Sequence, residues 1–371
     1  MERLKVFTAF SGYDSQCMAL DRLGIDYELV GWSEIDRFAI QAHNSVYPQW
    51  KDRNFGDICS IDWNRVPDFD FFTYSSPCQD FSNAGLQKGG EEGSGTRSSL
   101  LWECRRAILA KRPKYMMMEN VKALVGKKFI KLFEKWKTEL ESYGYKNYAM
   151  ALNAKDYGVP QNRERIFLIS ILGGGDFEFP GPVPLEKCMD DLLDDRVDEK
   201  YYLSERMLRK VTFGDKVGKA GIIERANVHT GGERSAVISP EGVCSSLAAT
   251  DYKQPKQIIQ VCNIEGNKKF SNPQIGRVYS PEGLAPTLST MQGGRREPKI
   301  IDGYRIRKVT PREYFRLMGV DEESIDRIQN AGISNTQQYK LAGNSIVVDV
   351  MEAIFRNLFM DDKKVRKDTL F

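Results

Sequence analysis

The chain has 371 residues, and its 54 lysines and arginines nearly balance 51 aspartates and glutamates, so the net charge of +3 by itself says nothing for or against a nucleic-acid partner. No apolar run approaches the roughly 18 residues of a membrane span. The seven cysteines are odd in number and lack Cys-x-x-Cys spacing, which argues against a disulfide framework or a structural zinc site. Only two histidines are present, which nearly excludes chemistry built on several of them. With no signal peptide visible, we expect a soluble protein of a reducing cytoplasm.

The first 172 residues alternate between strand-like and helix-like segments. Strands are predicted over residues 4–10, 27–33, 70–75, 115–118, 148–152 and 166–172, and helices over 15–23, 38–45, 100–110 and 127–143. Such alternation is typical of a doubly wound α/β sheet. Ligands of these sheets bind beyond the carboxyl ends of the strands, so functional side chains are expected there.

The alternation stops at glycines 173–175, where we place a domain boundary. Residues 173–205 carry 3 basic and 10 acidic side chains, and residues 206–305 carry 16 basic and 9 acidic ones, so the balance changes from −7 to +7. The acidic stretch is expected to be a solvated linker or helix face. The basic stretch is either a phosphate-facing module or scattered solubilising charge.

A short repeat lies within the basic stretch. Ser-Pro-Glu-Gly occurs at residues 239–242 and again at 280–283. Two copies are too few for a solenoid and indicate a duplicated β-hairpin unit. The copies serve either as scaffold or as direct base contacts, and the pattern favours scaffold.

Regular structure is predicted to return after residue 304. A helix over residues 310–317 has a good start, with Thr310 as N-cap, Pro311 at the first helical position and Glu313 at the third. An amphipathic helix is predicted over residues 347–359.

A candidate nucleophile follows the predicted strand 70–75. The segment Ser75-Ser76-Pro77-Cys78 places Cys78 on a loop at the carboxyl end of that strand. A cysteine becomes reactive when nearby positive charge lowers its pKa from about 8.5. A lone cysteine in this position is more often inert, so the interpretation depends on the segments around it.

The order of short motifs along the chain resembles that of the cytosine-5 DNA methyltransferases. Each tripeptide is weak alone, but their order and spacing together are specific. The matching segments are Phe10-Ser11-Gly12, Glu34, Asp57-Ile58, Pro77-Cys78, Glu119-Asn120-Val121, Gln161-Asn162-Arg163-Glu164-Arg165, the residues Arg307, Thr310, Arg312, Glu313, Arg316 and Leu317, and Gly343-Asn344-Ser345. They form two blocks, on either side of residues 173–305.

The resemblance implies an α/β protein with two domains. Residues 1–175 and 306–371 would form a Rossmann-like mixed-sheet catalytic domain, and residues 176–305 a smaller, irregular β-rich target-recognition domain. The resemblance also implies S-adenosylmethionine as cofactor, double-stranded DNA as substrate and no metal. The implied cofactor-binding residues are Phe10, Gly12, Glu34, Asp57, Ile58, Pro77, Leu100, Asn344 and Ser345.

The implied catalytic residues are Cys78, Glu119, Arg163 and Arg165. Addition of the Cys78 thiolate to carbon 6 of a flipped-out cytosine would make carbon 5 able to attack the methyl group. Glu119 would donate a proton at nitrogen 3, although it is alternatively a helix-capping acid. The two arginines would hold the base carbonyl and its phosphate and lower the pKa of Cys78. The sequence names no base for the carbon-5 proton, and water would serve.

The first turn departs from the pattern Phe-x-Gly-x-Gly of the family. It reads Phe10-Ser11-Gly12-Tyr13-Asp14, so an aspartate replaces the glycine that lets the backbone approach the cofactor. Three interpretations stay open: Asp14 tolerates a left-handed conformation, its carboxylate meets the methionine amino group, or it is an exposed cap of the following helix. His43, on the second predicted helix, is expected to be structural.

Other interpretations of the whole chain also stay open. Residues 88–97 are either a mobile loop that closes over DNA or an inert surface loop. The same chemistry acts on tRNA in one branch of the family, although the large insertion argues against that substrate. A catalytically silent DNA-binding relative is the third alternative. We expect a monomer in the cytoplasm of a bacterial or phage-infected cell, and a cognate restriction endonuclease is a possible partner.

Overall fold

The computed structural model describes residues 3–77, 92–93, 97–188, 190–201 and 309–360, together with eight short strands between residues 211 and 308. Cys78, His229, both Ser-Pro-Glu-Gly copies and most of residues 88–97 lie outside the described residues. Within the described chain, no helix has both the length and the apolarity needed to cross a membrane.

A six-stranded mixed sheet forms the centre of an α/β unit, called the sheet region below, in the order β2-β1-β3-β4-β6-β5. Its strands are β1 (Leu4–Ala9), β2 (Tyr27–Ser33), β3 (Phe71–Tyr74), β4 (Tyr115–Val121), β5 (Tyr145–Asn153) and β6 (Glu164–Leu172). Strands β1 to β4 pair in parallel, whereas β6 runs antiparallel to both β4 and β5. The predicted α/β mixed sheet is confirmed.

Helices cover both faces of this sheet. They are α1 (Ser15–Arg22), α2 (Arg37–Val46), α3 (Cys104–Lys111), α4 (Ile130–Ser142), α5 (Pro311–Arg316), α6 (Glu322–Asn330), α7 (Asn335–Asn344) and α8 (Val348–Phe359). Side chains alternate between faces along a strand, so Phe71 packs in one core with α1, α2 and the C-terminal helices while Phe72 packs in another with α3 and α4. Because β3 lies between these two cores, it is buried along its whole length.

Most predicted elements agree with the structure to within a few residues, with three informative differences. Strand β4 continues to Val121 and so includes Glu119 and Asn120. The predicted helix over residues 100–110 is a 3-10 helix (Arg97–Glu103) followed by α3. Helices α6 and α7 were not predicted, although Asp321 caps α6 by accepting from the amide of Ser324 (2.8 Å).

Residues 176–201, which were assigned to the recognition domain from the sequence, run along the sheet region. Phe177 and Phe179 are buried in the core that contains α1 and α8. The amide of Val183 donates to the carbonyl of Asp156 (2.9 Å), just before β6. The sheet region therefore holds this acidic segment as far as its last described residues.

The two ends of the insertion, residues 202–308, attach to neighbouring helices. On the entry side, Asp194 pairs with Arg316 of α5 (2.7 Å), and the hydroxyl of Tyr201 accepts from the amide group of Asn335 on α7 (2.7 Å). On the exit side, the chain enters α5 through Thr310, whose capping box with Glu313 confirms the predicted helix start. Entry and exit thus share one platform made by α5 and α7.

The described strands of the insertion form two small sheets. They are β7 (Val211–Thr212), β8 (Lys216–Val217), β9 (Ile223–Asn227), β10 (Ala236–Ile238), β11 (Gln260–Ile264), β12 (Arg277–Tyr279), β13 (Lys299–Asp302) and β14 (Arg305–Lys308). One sheet has the order β10-β9-β8 and the other β14-β13-β12-β11-β7. The β-rich character expected for this region is present in these strands.

Candidate active site

The strand order fixes where a ligand should bind. β2 lies on one side of β1 and β3 on the other, so the direction of winding reverses between β1 and β3. The register pairs Ala9 with Ser33 and Tyr74, and Tyr74 with Met118, so the chain leaves all four parallel strands along one edge. In open α/β sheets the crevice beyond this edge, at the reversal, is the usual ligand site.

The turn after β1 is held in an unusual backbone conformation. Phe10, Gly12 and Asp14 all have positive φ angles, of 57°, 61° and 66°. The hydroxyl of Ser11 donates to the carbonyl of Thr8 (3.0 Å), and the amide of Ser11 donates to the carbonyl of Ser33 (3.3 Å), which ties the turn to β1 and β2. One interpretation of Asp14, a left-handed conformation, is confirmed.

The carboxylate of Asp14 faces the protein interior. Asp14 is fully buried and accepts a hydrogen bond from the hydroxyl of Thr8 (2.9 Å). It occupies the N-cap position of α1, but its side chain makes no capping hydrogen bond. The interpretation as an exposed helix cap is therefore wrong, and burial leaves the carboxylate no exposed surface for a cofactor amino group.

His43 lies against this buried carboxylate. Its Nε2 atom is 3.4 Å from Oδ2 of Asp14, and both side chains are fully buried. The imidazole stacks on Trp32, with ring centroids 3.7 Å apart. The expected structural role of His43 is consistent with this position, but its contact with Asp14 could not be predicted from the sequence.

Glu34, directly after β2, joins the two neighbouring strand ends. One carboxylate oxygen accepts from the amide of Gly12 (3.0 Å), and the other accepts from the amides of Ile35 (2.7 Å) and Asp36 (2.9 Å). Burial raises the pKa of Glu34 above its ordinary value, although these backbone donors oppose the shift. The predicted cofactor residues Gly12 and Glu34 are thus in direct contact.

The predicted pair Asp57-Ile58 has two different environments. Asp57 is exposed, and its carboxylate caps a short 3-10 helix by accepting from the amide of Cys59 (3.0 Å). Ile58 is buried in the core beside α3. Asn54 connects this turn to β2, because its side-chain oxygen accepts from the amides of Glu34 (3.2 Å) and Gly56 (2.9 Å).

Asn120 connects the ends of β3 and β4. Its amide group donates to the carbonyl of Ser76 (3.1 Å), and its side-chain oxygen accepts from the amide of Val121 (2.9 Å). Ser76 is two residues before Cys78, and the half-buried Pro77 is the last described residue before that position. From the sequence, Asn120 was assigned no role beyond its place in a motif, whereas the structure shows that it binds the residue before Pro77.

A buried acid and a buried arginine meet at the end of β4. Nε of Arg165 is 3.2 Å from the Glu119 carboxylate, and their side chains are 7% and 10% exposed. Arg165 pairs with Val121 across the sheet, so it shares a face with Glu119. Burial raises the pKa of Glu119, although Arg165, Arg163 and the hydroxyl of Ser75 oppose the shift. Because Glu119 lies inside a strand, the interpretation as a helix-capping acid is wrong.

Arg163 binds the C-terminal part of the chain. Its guanidinium donates to the carbonyls of Gly343 (3.1 Å) and Ser345 (2.6 Å). The hydroxyl of Ser345 in turn donates to that of Ser15 (3.0 Å), at the start of α1. The late Gly-Asn-Ser element therefore lies beside the first turn, and the two sequence blocks meet at one site.

The remaining predicted residues lie at the borders of this site. Leu100 is half-buried in the 3-10 helix before α3, and its carbonyl accepts from Sγ of Cys104 (3.9 Å). Asn344 is exposed at the last position of α7. Gln161, which matched a motif but received no role, is fully buried and donates to the carbonyl of Leu317 (2.6 Å).

A mixed sheet with a cofactor-type turn, a carboxylate at the next strand end and a buried acid–arginine pair defines a Rossmann-like α/β enzyme. Comparison with known proteins narrows this class. The sequence profile described as C-5 cytosine-specific DNA methylase matches residues 4–360. The type II methyltransferase M2.ScrFI of Lactococcus lactis subsp. cremoris is 36% identical, covering 96% of this chain and 99% of that protein.

Two further comparisons agree. The orphan methyltransferase M.SssI of Spiroplasma monobiae is 34% identical, covering 84% of this chain and 71% of that protein. The solved structure of the methyltransferase EhMeth from Entamoeba histolytica covers 97% of this chain and 99% of its own, with a TM-score of 0.64. At 19% identity, that likeness shows the fold alone. The chain belongs to the C-5 cytosine-specific DNA methylases, a family of S-adenosylmethionine-dependent DNA methyltransferases.

Proposed function

We propose that this chain methylates carbon 5 of a flipped-out cytosine in a specific sequence of double-stranded DNA, with Cys78 as the nucleophile. One observation carries the proposal: the buried Glu119–Arg165 pair at the end of β4. The neighbouring Asn120 holds Ser76, two residues before Cys78. This contact supports the proposal, because it ties the strand end that carries the acid to the segment that directly precedes Cys78 in the sequence.

The cofactor half of the site fits S-adenosylmethionine. Glu34 follows Gly12 by 22 residues and contacts it, which is the arrangement by which a carboxylate binds ribose hydroxyls in dinucleotide-binding folds. The next side chain, Ile35, is 69% exposed and offers apolar surface for an adenine ring. The proposed cofactor-binding residues are Phe10, Gly12, Glu34, Asp57, Ile58, Pro77, Leu100, Asn344 and Ser345. When bound, S-adenosylmethionine supplies an electrophilic methyl group.

The chemistry of cytosine requires a covalent route. Carbon 5 is a poor nucleophile, but addition of the Cys78 thiolate to carbon 6 moves electron density onto carbon 5 and nitrogen 3. Glu119 donates its proton at nitrogen 3, so the ring does not accumulate negative charge. Carbon 5 would take its methyl group from the cofactor's sulfonium, which would be left as a neutral thioether. A base then removes the carbon-5 proton while the bond from carbon 6 to sulfur breaks, and nitrogen 3 returns its proton to Glu119. Water is the simplest base, and this last step returns the thiolate.

The environment of Glu119 suits a proton donor. Burial raises its pKa, so a larger share of this carboxyl is protonated near neutral pH than in an ordinary glutamate. Arg165 limits that shift and fixes the orientation of the carboxyl group. We also propose that Arg163 and Arg165 contact the base carbonyl and its phosphate and lower the pKa of Cys78. Arg163 meanwhile holds the Gly-Asn-Ser element in place.

A group of exposed lysines next to Glu119 provides a surface for DNA phosphates. Residues 122–137 contain six lysines and one acidic residue, Glu134. Lys127, Lys128 and Lys131 are exposed and lie between the end of β4 and the first turn of α4, at the same sheet edge as Glu119. These three residues are called the lysine cluster below. Their charge would hold the duplex while the target base leaves the stack.

Sequence specificity is assigned to the basic stretch, residues 206–305. We propose that residues 1–175 and 306–371 act as the catalytic domain and residues 176–305 as the target-recognition domain. The basic stretch within the insertion would contact bases in the major groove. We also propose that the protein acts as a monomer in the cytoplasm of a bacterial or phage-infected cell, where a cognate restriction endonuclease is a possible partner.

The decisive test compares cysteine variants. Cys78→Ala should abolish incorporation of labelled methyl groups into duplex DNA while DNA binding, measured by fluorescence anisotropy, persists. Cys59→Ala is the matched control, because Cys59 is an exposed free cysteine remote in sequence from the Pro-Cys segment. Full activity of Cys78→Ala would end the proposed mechanism.

A trapping experiment tests the covalent step directly. In the presence of S-adenosylmethionine, duplex DNA with 5-fluorocytosine at the target position should form a denaturation-resistant complex with the unmodified protein and with Cys59→Ala. After methyl transfer, fluorine cannot leave carbon 5 as a cation, so the bond from carbon 6 to sulfur cannot be released by elimination. Cys78→Ala should form none.

The substrate is tested by competition. Labelled methyl groups should enter duplex DNA and not tRNA, and the opposite result would favour the RNA-modifying alternative. No transfer to either, with retained DNA binding, would favour a catalytically silent relative. Sequencing of methylated cytosines in DNA from expressing cells would identify the recognition sequence and show which nuclease, if any, it protects against.

A further inference from the structure

The replacement of a family glycine by Asp14 calls for a physical explanation. The residue keeps a left-handed conformation (φ 66°), which a side chain with a Cβ atom disfavours. Aspartate tolerates this conformation better than most residues, but glycine would adopt it without strain. Something on the side chain must therefore offset the conformational cost.

The buried surroundings of Asp14 supply that contribution. A fully buried carboxylate is unfavourable unless neighbouring groups compensate for lost water. Here Oδ2 accepts from the hydroxyl of Thr8 on β1 (2.9 Å) and lies 3.4 Å from Nε2 of His43 on α2. The stacking of His43 on Trp32 fixes the position of the imidazole. The Asp14 carboxylate thus lies against groups from β1 and α2, and Trp32 of β2 packs on the imidazole.

The backbone of Asp14 connects this anchor to the outer surface. Its amide donates to the carbonyl of Ser11 (2.9 Å), which closes the turn, and its carbonyl accepts from the amide of Cys17 (3.0 Å), which starts α1. On the outer side, the amide of Gly12 donates to Glu34 (3.0 Å). The turn is therefore fixed to the segment around β2 and α2 by two contacts. On its buried side Asp14 contacts His43, and on its outer side Gly12 binds Glu34.

We propose that Asp14 and His43 form a buried anchor that sets the turn at its distance from Glu34, so that Asp14 is a positioning residue for S-adenosylmethionine. This inference rests on the proposed cofactor site. The carboxylate points inward, so the outer face of the turn keeps the close backbone approach that a glycine would give. The aspartate adds a tie to α2 that a glycine lacks.

Variants of Asp14 separate backbone conformation from the anchor. Asp14→Gly accepts the left-handed conformation but has no carboxylate, whereas Asp14→Asn keeps both the conformation and an acceptor for Thr8. The anchor predicts that Asp14→Gly raises the Kd for S-adenosylmethionine about tenfold. Asp14→Asn should stay within about threefold of the unmodified protein. Isothermal titration calorimetry measures both without requiring catalysis.

His43 provides the partner test. His43→Phe keeps an aromatic ring on Trp32 but removes Nε2, so it should weaken cofactor binding about as much as Asp14→Gly. Since the two residues act as one anchor, the double variant should bind no more weakly than either single one. Asp26→Asn is the control, because Asp26 lies at the opposite end of β2 and its side chain is 78% exposed.

The kinetic pattern distinguishes positioning from a general loss of structure. Asp14→Gly should raise the KM for S-adenosylmethionine while kcat at saturating cofactor and the KM for DNA stay within about twofold. Cofactor affinity of Asp14→Gly equal to that of the unmodified protein would overturn the anchor. An equal fall in kcat and in DNA affinity would overturn it as well, because the effect would then be general. Absence of cofactor binding by the unmodified protein would instead refute the proposed function.

Discussion

The sheet edge where the parallel strands end has two halves, and different kinds of chemical groups form them. Around β1 and β2, the surface that faces the crevice is formed by backbone groups: three left-handed residues shape a turn, and three amides hold the Glu34 carboxylate. Around β4 and β6, buried charged side chains hold each other, as Glu119 and Arg165 do. The first half maintains a shape for a bound molecule. The second maintains charge in a place with little water, where electrostatic interactions are strong.

This difference is visible in two carboxyl groups with the same direction of pKa shift. Burial raises the pKa of both Glu34 and Glu119. Backbone donors oppose the shift at Glu34, whereas two arginines and a hydroxyl oppose it at Glu119. Backbone donors are fixed by the fold, but ion pairs depend on side chains that substitution can remove one by one. The comparison therefore predicts that substitutions at Glu34 change cofactor affinity, whereas substitutions at Glu119 change the rate of methyl transfer.

The largest expected effect is on the chemical step. Glu119→Gln preserves size but cannot transfer a proton, so kcat for methyl transfer should fall by about 10²- to 10⁴-fold. The Kd for S-adenosylmethionine should stay within about twofold, as measured by calorimetry. Glu164→Gln is the control, since Glu164 is the neighbouring, partly exposed carboxyl on β6 and pairs with Lys122 (2.6 Å). A Glu119→Gln enzyme within fivefold of normal kcat would contradict the separation.

Around β1 and β2 we expect the opposite result, a change in cofactor affinity with little change in kcat. Glu34→Gln should weaken cofactor binding by about tenfold, because a neutral amide accepts hydrogen bonds less strongly than a carboxylate. At saturating cofactor, kcat should be nearly normal. If kcat fell as much as it does for Glu119→Gln, the two halves would not be functionally distinct.

The next effect concerns DNA and extends the comparison to the outer surface. Replacement of Lys127, Lys128 and Lys131 together by glutamine should weaken duplex binding and make the dependence of log K on log salt shallower by about 3. Cofactor affinity should not change. Anisotropy titrations at several salt concentrations measure the slope.

Three other exposed lysines form a matched control. Lys5, Lys114 and Lys146 lie at the opposite edge of the sheet, where β1, β4 and β5 begin. The same substitutions there should leave the salt slope unchanged. Equal slopes for both triple variants would show that the lysine cluster does not contact phosphate.

The smallest expected effect is on stability. A carboxyl whose folded pKa is raised stabilises the fold most below its ordinary pKa of 4.5, and that contribution is lost as pH rises through the raised value. The unfolding free energy of the unmodified protein should therefore fall, relative to Glu119→Gln, as pH increases from 4.5. Urea unfolding across this range measures the difference. A difference that grows with pH would mean that Arg165 outweighs burial.

Much of this architecture follows from local sequence. The strands β1 to β3 are short apolar runs, so the hydrophobic pattern alone predicted them. The start of α5 was predicted from its capping residues Thr310, Pro311 and Glu313. The extension of β4 through Glu119 and Asn120 could not be read in this way, because polar residues there are held by pairing with β6. Helices α6 and α7 were not predicted because their sequences are largely polar. Asp321, which caps α6, could have indicated where that helix begins.

The residues of the candidate site were predictable from the sequence, but most contacts between them were not. Motif order brought Gly12, Glu34, Glu119 and Arg165 into consideration without any knowledge of contacts. The contact of Asp14 with His43 depends on how α2 packs against β1, which no local pattern encodes. Asn120 was named only as part of a motif, and its bond to Ser76 appears only once β3 and β4 are adjacent.

The shared platform of α5 and α7 has a consequence for chain length. Since Asp194 and Tyr201 fix where the chain departs, and Thr310 fixes where it returns, the intervening segment is a loop closed at its base. The entropy of closing such a loop grows only logarithmically, by about 0.6 kcal/mol for each doubling of its length. Segments of very different size could therefore be exchanged between these two points at little thermodynamic cost, while the sheet beneath keeps its geometry.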